Sequence, residues 1–183
     1  MLMESFVQKG TECLTLIVRK GCDELLAWTD QTGRSGLIIV LSFIGRLLSP
    51  SDDSESTGLL VGDLIVHLFR NCGPSILPSL PELLHLMITR ITTAKTGTFL
   101  QVSPWSWDKM PTTSHASLKS LIIPFAYLIQ SQRDTVVSLL ESISILHEDS
   151  RNGLEVLLRA WCDNAEMVQG FWPSRVRYVH FPL

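Results

Sequence analysis

GLLVGDLIVHLFRN at residues 58 to 71, a Gly73-Pro74 stop, then SILPSLPELLHLMITRITTA at 75 to 94 decide the fold. Neither segment alternates apolar and polar residues as a half-buried strand does. In the second, Leu80, Leu83, Leu84, Met87, Ile88 and Ile91 recur at helical spacing and form one apolar stripe. Ser79 and Glu82 fit a capping box, with Pro81 in the first turn. Glycine and proline between the segments end the first helix and force a tight turn. The unit is therefore helix, turn, helix.

The same rhythm extends in both directions. Towards the N-terminus, Cys13, Leu14, Ile17, Val18, Leu25, Leu26 and Trp28 predict a helix, a break near Lys20-Gly21 and a short second helix. TDQTGRSG is a loop, and residues 36 to 48 predict the next helix, ended by Ser49-Pro50. The polar run SPSDDSES caps the helix that follows, because its acids sit where helix amides lack partners. Towards the C-terminus, SLIIPFAYLI leads into SQRDTVVSLLESI, with Ser131 as a cap, Asp134 favouring the N-terminal end, and Val136, Val137, Leu139, Leu140 and Ile143 inside. SILHEDSRN reads as a loop. The last helix carries Leu154, Leu157, Leu158, Trp161 and Ala165 as its apolar face. Paired helices repeating every ~40 residues are the pattern of HEAT-type α-solenoids. The expected fold is all-α, a solenoid fragment of about four helix pairs. Many helices are apolar around more than half their circumference, as stacking on two sides requires. The end helices show no polar capping face, so the chain reads as an internal piece of a longer array.

Composition narrows the function. Across 183 residues, 45% are apolar and 18% charged, enough for a core and too apolar for wholesale disorder. A net charge of −3 without a Lys/Arg stripe argues against direct nucleic-acid binding. Cys13, Cys22, Cys72 and Cys162 form no CxxC pair and read as reduced, buried thiols of a cytosolic or nuclear protein rather than a zinc site or a disulfide framework. The start, MLMESFVQKGTECL, lacks the form of a signal peptide. LIIVLSFIGRLL at 37 to 48 contains Arg46 and falls short of the ~20 apolar residues of a membrane span.

Residues able to carry chemistry do not converge. Asp63 and His67 are spaced i, i+4 like helical metal ligands, but no third ligand has a defined spacing to them. His85 reads as a polar-face residue, and His147, Glu148 and Asp149 as a solvated loop. Cys162 lies beside Asp163, which disfavours a thiolate. No GxSxG elbow or glycine-rich phosphate loop occurs. The expectation is no enzyme, no catalytic, metal or cofactor-binding residue, and no cofactor. The acids between residues 51 and 63 could meet a basic partner.

Several segments together carry a family likeness. They are the helix ending at Trp28, the turn Gly33-Arg34-Ser35-Gly36-Leu37, Val61-Gly62-Asp63-Leu64, Phe125-Ala126-Tyr127-Leu128, and Trp161 with Gly170 downstream. In order and spacing, over most of residues 4 to 177, the chain resembles the importin-β superfamily of nuclear transport receptors, in particular the importin-9 type. The resemblance implies HEAT repeats wrapped around basic cargo such as core histones, release by Ran GTPase, nucleoporin contacts, and shuttling between cytoplasm and nucleus. It also implies that the Ran-binding N-terminal repeats lie outside this chain. The cargo-binding residues stay unknown. The alternatives are a stand-alone helical-repeat adaptor and a truncated gene product without function.

The resemblance breaks at two places. Family-like sequence passes from Gln101 to Ser120, and the 18 residues between hold Trp105, Trp107 and Met110 without helical periodicity. Without them, Phe99, Leu121, Phe125, Leu128 and Ile129 follow at spacings of 4, 4, 3 and 1, one helical face. Val102-Ser103 can be encoded GTAAGT, a splice donor, and Arg177-Tyr178-Val179 can hide another. The expected organisation is helical repeats over 1–101 and 120–177, an intron-derived irregular insertion at 102–119, and a non-family tail at 178–183. The rival reading of the insertion is a tryptophan-bearing recognition loop.

Overall fold

A computed structural model of the protein describes residues 2–49, 57–99, 112–145 and 151–163. Among them are seven α-helices: α1 (Leu2–Lys20), α2 (Cys22–Ala27), α3 (Gly36–Leu48), α4 (Thr57–Cys72), α5 (Leu80–Phe99), α6 (Thr112–Ser142) and α7 (Gly153–Asp163). A 3-10 helix, Gly73–Ser79, joins α4 to α5. Gln132, at φ −145° and ψ 52°, kinks α6. The described residues thus hold eight α-helical segments and no strand; the bridges Thr29–Ser35 and Ser144–Asn152 are isolated.

The helices form two layers. In the first, α4 packs extensively between α1 and α6; in the second, α5 packs against α3 and α7. Contacts of α3 with α4 and of α5 with α6 tie the layers together. The fold is the all-α stack of a HEAT-repeat fragment. Its core is one continuous cluster that includes Ile44, Leu64, Leu68, Leu84, Met87, Phe125, Leu140 and Leu157. Leu80, Leu83, Leu84, Met87, Ile88 and Ile91 are all buried, as their stripe required. Burying such side chains contributes roughly 1.5–3 kcal/mol each, so this seam is a principal source of stability.

Local chemistry sets the helix ends. Gly21 separates α1 from α2, where the break was expected. Gly33, at φ +81°, lets the chain turn within Asp30–Arg34. The Ser35 hydroxyl then caps α3 by accepting from the Ile38 amide at 3.4 Å. Asn152 caps α7, its Oδ1 accepting from the Glu155 amide at 2.8 Å. The family-like GRSGL segment is therefore a turn-and-cap device.

Three expectations are corrected. The Ser131 hydroxyl donates back to the Leu128 carbonyl at 3.2 Å, so it helps end the first arm of α6 rather than capping the second. On α7 the buried face is Gly153, Val156, Leu157 and Ala160, while Leu158 is 51% exposed. Leu154 and Trp161 only flank that face; the stripe lies about one residue, some 100° of helix, from the expected one. Ala165 lies outside the described residues. On α1 and α2 and at the C-cap of α2, Val18 is buried, but Cys13, Ile17 and Trp28 are exposed, because α4 and α3 cover only one side of these helices.

Val102 to Pro111 lie outside the described residues, and Thr112 to Lys119 form the start of α6. Leu118 is buried in the core. Residues 178–183 also lie outside them.

Candidate interaction surface

The residues singled out for chemistry stay apart. Asp63 and His67 face each other across one turn of α4 at 3.8 Å, too long for a good hydrogen bond. Asp63 points into solvent, while the Nδ1 of His67 is buried without a hydrogen-bond partner. Among the described residues, no group of three His, Cys, Asp or Glu side chains could hold a metal ion. His85 is exposed on α5, and Cys162 is exposed near the end of α7. His147, Glu148, Asp149, the acidic run 51–56, Trp105, Trp107 and Met110 lie outside the described residues. No helix among the described residues is long and apolar enough to cross a membrane.

One acid is tuned by its loop. The carboxylate of Asp30 accepts from the Thr32 hydroxyl at 2.7 Å and from the Arg34 amide at 2.9 Å. The Arg34 side chain adds a hydrogen bond and an ion pair, both at 2.9 Å. With the Thr32 hydroxyl contributing most and the Arg34 amide next, these donors hold the Asp30 carboxyl down to about 2. The residue fastens the turn between α2 and α3.

A cluster of exposed apolar residues sits on α1 and α2. Leu16, Ile17, Lys20, Gly21, Glu24, Leu25 and Trp28 line an open groove. Trp28 is 53% exposed, with Leu16 and Ile17 beside it. Lys20 and Glu24 add one charge of each sign, so the groove favours apolar side chains over either net charge. A tryptophan edged by aliphatic residues and a mixed-charge rim has the composition of a protein-docking surface. Helical spacing grouped Ile17 and Trp28 with the apolar residues of the first two helices, and the packing leaves both exposed. The usable signal was that α1 carries apolar residues on more sides than one neighbour covers.

The chain is 28% identical over 158 residues to importin subunit beta-5 of Schizosaccharomyces pombe. The match takes in 86% of this chain. It supports the importin-β superfamily. The matched region spans only 14% of that importin's length, so this chain corresponds to a small part of such a receptor. No protein-family model matches the chain.

Proposed function

We propose that the chain forms a segment of a nuclear import receptor of the importin-9 type, supplying stacked HEAT-like repeats and part of the cargo-facing surface. The observation that carries this reading is the coincidence of the two-layer helical stack with the importin-like match over 158 residues. Binding is non-covalent. Exposed carboxylates such as Asp63, together with the acidic run at 51–56, offset the charge of a basic cargo, core histones among them. Ran GTPase and nucleoporins engage the longer receptor, which shuttles between cytoplasm and nucleus; Ran contacts lie in other repeats.

The test is a pull-down with the immobilised 183-residue chain. The probes are a core-histone heterodimer, an acidic protein of similar size, and Ran carrying a non-hydrolysable GTP analogue. Selective, salt-sensitive retention of histone without Ran supports the reading. Indifference to histone would reject it and favour a stand-alone adaptor that uses the α1–α2 groove.

We also propose that residues 102–119 and 178–183 are translated intron, foreign to the receptor. Excising 18 residues moves Leu100 into the place of Leu118, and 18 residues make five α-helical turns. The buried leucine and the phase of α6 are therefore both kept. Full-length transcript sequencing tests this: a transcript that encodes residues 102–119 between spliced exons would overturn it.

A further inference from the structure

The Sγ atoms of Cys22 and Cys72 lie 2.9 Å apart, although 50 positions separate them in sequence. Cys22 opens α2 directly after the break at Gly21, and Cys72 closes α4 directly before Gly73. Both are free thiols, Cys72 buried and Cys22 half-buried. The same corner is pinned by the Asn71 side-chain amide, which donates to the Val18 carbonyl at 3.2 Å. The pair is thus held where the junction of α1 and α2 meets α4, on helix ends rather than on loops. A disulfide bond of ~2.05 Å requires the sulfur atoms to close by only about 0.9 Å.

We propose that Cys22 and Cys72 form a redox modification site, closed to an intramolecular disulfide by small-molecule disulfide oxidants such as oxidised glutathione. Burial, with Cys22 beside it, pushes the Cys72 thiol up to about 12. The more accessible Cys22 therefore reacts first. Its thiolate attacks the oxidant, forming a Cys22–glutathione mixed disulfide and releasing one glutathione thiolate. Cys72 then gives up its proton and attacks the Cys22 sulfur, expelling the second glutathione. Two protein thiols lose two electrons, one glutathione disulfide is reduced to two thiols, and the two protons end on glutathione. The product ties the start of α2 to the end of α4 and restricts flexing between them.

The test uses the full chain with Cys13→Ser and Cys162→Ser, which removes the two exposed thiols. It is treated with oxidised glutathione, then acid-quenched. Intact mass should fall by about 2 Da, for two hydrogens lost. Peptide mapping should find the Cys22 peptide joined to the Cys72 peptide within one chain, and dithiothreitol should reverse it. With Cys72→Ser added, Cys22 should instead retain glutathione as a stable adduct. In concentrated urea, separate adducts should replace the crosslink. Circular dichroism confirms that each variant is folded. Folded protein that keeps both thiols alkylatable, accumulates two glutathione adducts, or joins different chains would overturn the proposal.

Discussion

Gly62→Ala isolates the closest approach in the stack, that of α4 to α6. A β-carbon at Gly62 would overlap the carbonyl oxygen and Oγ of Ser120, and lie 2.7 Å from the Ser120 carbonyl carbon. Two of those atoms are backbone, so no side-chain rotation relieves the overlap and the helices must separate. Helix propensity alone favours alanine over glycine by ~0.8–1 kcal/mol. Against that stand overpacking, typically about 1–3 kcal/mol and occasionally more, and a weakened contact from the Gly62 amide to the Ser120 hydroxyl, now 3.2 Å. Separation also loosens other contacts along the α4–α6 interface. We expect a net loss of about 2–3 kcal/mol, or roughly 4–12 °C in Tm. The assay is thermal unfolding by far-UV circular dichroism at fixed protein concentration. Gly10→Ala on α1 is the control, since its β-carbon meets nothing within 4 Å. It should raise stability by ~0.5–1 kcal/mol. Ser120→Ala in the Gly62→Ala background should recover only part of the loss, because the carbonyl overlap remains. A Gly62→Ala chain as stable as the parent, or moving with Gly10→Ala, would refute the close-approach argument.

Other perturbations test other parts of the fold. Leu157→Ala should cost about 2–5 kcal/mol, whereas Leu158→Ala should stay within ~0.5 kcal/mol, as read by urea unfolding. Equal costs would contradict the observed face of α7. Asn152→Ala should cost about 1 kcal/mol through the lost cap of α7. Asp30 has a folded pKa of about 2 against 3.8 for the free group, so its contribution is complete above about pH 4 and is lost as pH falls through about 2. Asp30→Asn should flatten that part of the stability–pH curve; an unchanged acid limb would count against the loop network. A chain lacking residues 102–119 should fold with an unchanged or higher Tm; collapse of its helical signal would show that Leu100 does not replace Leu118.

The family-like segments take on physical meaning in the structure. Val61-Gly62-Asp63-Leu64 holds the glycine that lets α4 approach α6. Gly33-Arg34-Ser35-Gly36-Leu37 combines a left-handed glycine, the arginine paired with Asp30, and a cap. Both glycines serve the shape of the scaffold. Which residues line the groove around Trp28 was not legible, because helical spacing reports only which residues share a face. It does not report whether a neighbour covers that face.

The helical class, the break at Gly21, the limits of α3 and the buried stripe of α5 are legible along the chain. These depend on local propensity, on glycine and proline, and on apolar spacing within one helix. Packing alone sets which side of α7 is buried, which side of α1 stays open, and that Cys22 meets Cys72. Those outcomes depend on where α4, α5 and α6 pass, a long-range property that periodicity within one helix does not encode.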